Sequence, residues 1–140
     1  MKLKIAVTNQ HIIGEHYLDL ENAVVISITS KNGSPANIST TNGLFEILFL
    51  KFDDISRTDL NLCAEDFTLF NRDFAKKILA FVEKHTDKLI ICQCEAGISR
   101  SAGVAAALSK IYNGDDSFFY KNYRPNSLVY NEILKEYHNV

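Results

Sequence analysis

Runs of apolar residues punctuated by polar turns divide the chain into recognisable elements. Leu3 to Thr8 and Ala23 to Thr29 (AVVISIT) are short and rich in β-branched residues, and the second runs into Ser30-Lys31-Asn32-Gly33-Ser34-Pro35, so both predict strands. Leu44 to Phe52 (LFEILFLKF) is almost continuously apolar, the pattern of a strand covered on both faces, and Leu89 to Cys94 (LIICQC) predicts a fourth strand. Between these two, from Ala64 to His85, Phe67, Phe70, Phe74, Ile78 and Val82 recur at spacings of three and four, which places them on one stripe of a helix facing the core. Ser101 to Tyr112 is a small-residue helix suited to close packing on a sheet and stopped by Asn113-Gly114, and Leu128 to Tyr137 forms a last helix after a break at Arg124-Pro125-Asn126. Strand, helix, strand makes a βαβ unit. The expected fold class is α/β, with a central sheet, mixed but mostly parallel, flanked by helices.

A length of 140 residues with no repeat, low-complexity tract or linker predicts a single domain over residues 1–140. Such a chain buries enough surface to fold without a disulfide or metal staple. Its formal net charge of -2 argues against a general affinity for nucleic acid or an anionic membrane, both of which select a basic face. No apolar run approaches the ~20 residues of a membrane span, and the apolar start, Leu3 to Val7, is too short for a signal peptide. Three cysteines, Cys63, Cys92 and Cys94, cannot all pair internally, so a reducing, cytoplasmic setting is expected. His11, His16, His85 and His138 have no metal-ligand spacing, and no metal or other cofactor is expected.

The chemistry concentrates in Cys94-Glu95-Ala96-Gly97-Ile98-Ser99-Arg100-Ser101. A cysteine ends a buried strand, and an arginine six residues later opens a helix. The crevice beyond the carboxyl ends of strands is where open α/β sheets bind ligands, and a helix start offers unpaired N–H groups to an anion. A helix N-terminus and a fixed cation both favour the reactive thiolate. The planar guanidinium of Arg100 matches two oxygens of a tetrahedral phosphate. Gly97 lets successive N–H groups of Glu95, Ala96, Gly97, Ile98, Ser99 and Arg100 face one point, and the Ser101 hydroxyl is placed to hydrogen-bond the sulfur. A phosphoryl group is the indicated target.

The octapeptide CEAGISRS resembles the signature loop of the cysteine-based protein tyrosine phosphatases, most closely their dual-specificity branch, whose loops commonly read HCxAGxSRS. Tyr123-Arg124-Pro125-Asn126 resembles the family's Pro-Asn ahead of its last helix, in which the Asn braces the loop. The resemblance covers roughly residues 44 to 138. It implies a dual-specificity phosphatase-like fold and a hydrolase of phosphate monoesters, on phosphotyrosine and as further candidates phosphoserine and phosphothreonine. In that mechanism Cys94 forms a phosphocysteine intermediate, Arg100 and the loop amides hold the oxygens, and an aspartate acts as general acid and then base.

The family's acid follows the preceding strand. Here that place is held by Asp53 and Asp54, 41 and 40 residues before Cys94, with Asp59 35 before it as a third candidate. Asp54 ranks first. Gln93 stands where the family usually has His, and its amide can donate a hydrogen bond without titrating. The resemblance implies that Glu95 points to solvent and colours the pocket mouth, and Glu95 and Ile98, where phosphoinositide-directed relatives tend to place lysines, tilt the choice towards phosphoproteins. The expected partner is a phosphorylated protein or small phosphomonoester, handled by a monomer. Two alternatives stay open. One is a phosphate-binding module without turnover, and the other is thiol-based arsenate reduction or sulfur transfer, with Cys92 or Cys63 resolving a disulfide. The residue-level reading of Cys92 is a small buried packing group.

Overall fold

The computed structural model describes residues 2–10, 22–38, 46–56 and 67–139. Among the described residues are four strands, β1 (Lys4–Asn9), β2 (Ala23–Thr29), β3 (Glu46–Lys51) and β4 (Leu89–Cys94), and four helices, α1 (Arg72–Glu83), α2 (Arg100–Asn113), α3 (Ser117–Asn122) and α4 (Ser127–His138); the strands, α1, α2 and α4 follow the expected order, and the short α3 is an addition to it. The strands form one sheet in the order β1-β4-β2-β3, and every pairing among them is parallel. β4 therefore runs inside the sheet between β1 and β2, with Asn9 beside Cys94 and Ser27 beside Gln93.

Burial explains the sequence patterns. All seven residues of β2 and five of the six in β4 are buried, which is why both are predominantly apolar, with Ser27, Thr29 and Gln93 buried among the apolar positions. Alternation along the strands divides the core. Ile26, Ile28, Cys92 and Cys94 face α1, α2 and α4, while Val25 and Ile91 face Ala36 and Ile38 on the other side. Cys92 and Cys94 are free thiols. Burial pushes the Cys92 thiol far above its ordinary range, so it is held protonated as a packing group.

β3 departs from expectation. It lies at the end of the strand order, and Phe49 is 51% exposed, so the run LFEILFLKF does not mark a strand covered on both faces. The central helix is also shorter than its periodicity. Residues 64–66 lie outside the described residues, and 67–71 are not helical, because the Asn71 side chain accepts from the N–H groups of Asp73 and Phe74 and caps α1 there. Phe67, placed by its spacing on the core stripe, is 41% exposed. Phe70 and Phe74 remain in place by packing on Phe52, with ring centroids 4.9 and 5.3 Å away.

α2 is buried from Arg100 to Ser109 and needs its small residues. A β-carbon at Gly103 would lie 2.9 Å from the carbonyl oxygen of Asn126 and 3.1 Å from Cβ of Val129, so the glycine allows the start of α4 to seat against α2. Gly114 ends α2 with a φ of 76°, a left-handed cap. No helix among the described residues is long and apolar enough to cross a membrane.

Candidate active site

The thiol of Cys94 sits at the carboxyl end of β4, where the loop 95–99 leads directly into α2. Gly97 has a φ of +69° and its N–H donates to Cys94 Sγ at 3.2 Å. A β-carbon there would stand 2.9 Å from the backbone carbonyl of Thr8, so both conformation and space demand glycine. Gly97→Ala is expected to destabilise the fold by about 1–3 kcal/mol, read as a lowered urea midpoint, because the loop must leave its left-handed turn. An unchanged midpoint would show that the loop relaxes freely.

Four further contacts shape the sulfur's surroundings. Ser101 Oγ lies 3.1 Å from Sγ, and the Gln10 N–H donates to the Glu95 carbonyl at 3.2 Å. Gln93, fully buried on the opposite face of the sheet, accepts from Ser27 Oγ at 2.5 Å and donates from Nε2 to the Cys94 carbonyl at 3.0 Å. The Gln93 amide thus pins the residue that carries the thiol.

Arg100 is 6% exposed and held by a collar of acceptors. Nη1 donates to Ser30 Oγ and to the Phe52 carbonyl, each at 3.0 Å, and Nη2 donates to Glu95 Oε1 at 3.3 Å. Its Nε is buried with no hydrogen-bond partner. A buried donor left unpaired costs about 1–3 kcal/mol. Glu95 does not simply point to solvent. Its Oε1 also accepts from the N–H and Oγ of Ser30 at 2.9 and 2.7 Å, and these bonds, with Arg100 adding to them, hold its carboxyl below the usual carboxylate range.

The two adjacent aspartates have different surroundings. Asp53 accepts from the N–H of Lys31 at 3.0 Å and of Thr68 at 2.8 Å, and its own N–H donates to the Thr68 carbonyl, so it latches backbone. Asp54 reaches the signature loop. Its Oδ1 accepts from Ser99 Oγ and from Asn126 Nδ2, both at 2.8 Å. Asp59 and Cys63 lie outside the described residues. Asn126 connects the parts: its N–H donates to the Ser99 carbonyl at 2.9 Å, its Nδ2 also reaches the Ile55 carbonyl, and its Oδ1 caps α4 through Val129 N. Arg124 N–H holds the Ile98 carbonyl at 3.0 Å.

Ser30, Ser27, Thr8 and the Phe52 carbonyl escaped sequence reasoning. The signal was positional, since Thr8, Ser30 and Phe52 all lie at or just beyond the carboxyl ends of strands, where the crevice forms. Among the described residues no three of His, Cys, Asp and Glu converge as a metal-holding group. A groove of about 550 Å³ between α1 and α4, lined by residues such as Leu79, Glu83 and Tyr137, contains no nucleophile of comparable setting.

Solved structures share this architecture along nearly the whole chain. The human tyrosine phosphatase-like serine/threonine/tyrosine-interacting protein matches with a TM-score of 0.65 at 16% identity, covering 96% of this chain and 91% of that one. A mutant form of Tk-PTP matches with a TM-score of 0.60 at 18% identity over 98% and 93%. PTPMT1 in complex with PI(5)P matches with a TM-score of 0.57 at 17% identity over 97% and 90%. No family model matches the sequence, and no curated protein does. The chain has the α/β fold of the dual-specificity branch of protein tyrosine phosphatases.

Proposed function

We propose that this chain is a cysteine-dependent phosphatase that hydrolyses phosphate monoesters, on phosphotyrosine with phosphoserine and phosphothreonine as further candidates. The observation that carries the reading is the buried Arg100 Nε–H without a partner, across the short loop 95–99 from a thiol that already receives the Gly97 N–H. Cys94 Sγ attacks phosphorus, an S–P bond forms, and the ester P–O bond breaks as Asp54 protonates the departing oxygen. Water then attacks phosphorus, Asp54 takes its proton, and the S–P bond breaks to return the thiolate, which Gly97 N–H and Ser101 Oγ receive. Asp54 Oδ1 is already engaged twice, so the proton travels on Oδ2. Arg100 and the loop amides carry the charge on the non-reacting oxygens.

The reading brings with it a phosphorylated protein or a small phosphomonoester as partner, no metal or cofactor, and a monomer in a reducing cytoplasmic setting where Cys94 stays unoxidised. A pH profile of aryl phosphate hydrolysis tests the acid. Asp54→Asn is expected to lose about a hundredfold in kcat together with the basic limb of the profile, whereas Asp53→Asn is expected to lower thermal stability and keep that limb. A profile unchanged in Asp54→Asn would remove the residue from the mechanism.

A second reading, a phosphate-binding module without turnover, is favoured by the two hydrogen bonds that tie Asp54 to Ser99 and Asn126. It predicts tungstate binding with no product. Sulfur transfer or arsenate reduction through Cys92 is disfavoured, because a fully buried thiol held protonated is a poor relay.

A further inference from the structure

We infer that Glu95 and Ser30 are a positioning pair that acts on the ligand through Arg100, and that the Glu95 carboxylate selects a single phosphate over one flanked by a second anionic group. The inference rests on the proposed reading only in requiring Arg100 to hold a phosphate.

Long guanidinium side chains sample many rotamers, and a fork that must meet a tetrahedral anion gains from being fixed beforehand. Ser30 does this with one hydroxyl. Its O–H donates to Glu95 at 2.7 Å while its oxygen accepts from Arg100 Nη1 at 3.0 Å, and its backbone N–H adds a second bond to the same Glu95 oxygen at 2.9 Å. Glu95 Oε1 then takes Arg100 Nη2 as a third donor. With the Phe52 carbonyl on Nη1, both terminal nitrogens are anchored, and the Nε–H and the second N–H of Nη2 are left for an anion. The turn after β2 is thereby joined to a loop 65 residues further along the chain.

The collar also has an outward face. The Glu95 side chain is 42% exposed while that of Arg100 is 7% exposed, so a fixed negative charge stands at the rim, its Oε1 3.3 Å from Arg100 Nη2. A substrate with one phosphate meets the arginine. A second phosphate beside the first meets the carboxylate, and like charges at this range cost affinity.

Binding to proteins carrying Cys94→Ser, measured by calorimetry with phenyl phosphate and with an inositol bearing two adjacent phosphates, tests both parts. Against that parent, Glu95→Gln is expected to raise the ratio of bisphosphate to monophosphate affinity about tenfold, because the charge leaves while an acceptor stays. Glu95→Ala and Ser30→Ala are expected to weaken phenyl phosphate binding about tenfold, with Glu95→Gln recovering much of the loss. A ratio unmoved in Glu95→Gln overturns the selection. Phenyl phosphate binding unmoved in both alanine variants overturns the positioning. The readout is binding, so a wild type that hydrolyses no phosphate overturns the phosphatase reading while the ratio still decides this one. A folded parent that binds neither ligand overturns both.

Discussion

Cys94→Ser is expected to lower aryl phosphate hydrolysis by about a thousandfold or more while the folded variant still binds tungstate. At neutral pH an alcohol is a far weaker nucleophile than a thiol, and nothing beside this residue replaces the missing ionisation: the neighbours of Sγ are the Gly97 N–H and the Ser101 hydroxyl, neither a base. Serine keeps the size of the side chain and can accept the same Gly97 N–H, so the loop and its arginine should stand. The paired measurement matters for that reason. Lost turnover with retained tungstate binding assigns the thiol to bond making, whereas full activity in the serine variant would refute covalent catalysis at this position.

Arg100→Lys is expected to reduce kcat/KM by about a hundredfold to a thousandfold, even though the charge is conserved. The guanidinium meets Ser30, Phe52 and Glu95 through two nitrogens and keeps a third N–H buried and unpaired. An ammonium concentrates its donors on one atom. It can satisfy the collar or the anion but has no geometry for both at once. Loss should appear in KM as well as kcat, since phosphate is gripped in the ground state too. Near wild-type kinetics in the lysine variant would reduce Arg100 to a buried counter-ion for Glu95.

Features specified by neighbouring residues were legible in the sequence. β2 and β4 announced themselves by short, mainly apolar runs, α2 by its small residues, and the thiol, glycine and arginine by spacing within eight residues. Features decided by distant contacts were not. The helical spacing of Phe67, Phe70 and Phe74 is real, yet Asn71 caps the helix inside it, so Phe70 reaches Phe52 from a non-helical segment and Phe67 is left exposed. β3 is as apolar as an interior strand, and only the strand order puts it at the edge. Asp53 and Asp54 are adjacent and identical in type. Their difference lies in partners far away, Lys31 and Thr68 for one and Ser99 and Asn126 for the other. Glu95 read as a solvated rim charge because its partner, Ser30, belongs to a different strand's end.

The close approach at Gly103 has a bearing on how such chains are compared. Asn126, which anchors both Asp54 and the Ser99 carbonyl, sits where it does because no β-carbon stands between it and α2. A descendant chain with any larger residue at that point could retain Cys94, Gly97, Arg100 and Asp54 letter for letter while its brace was displaced. A search that scores the signature octapeptide would count that chain as intact. The position to inspect is the glycine two residues beyond the motif, where any β-carbon would press on the carbonyl oxygen of Asn126.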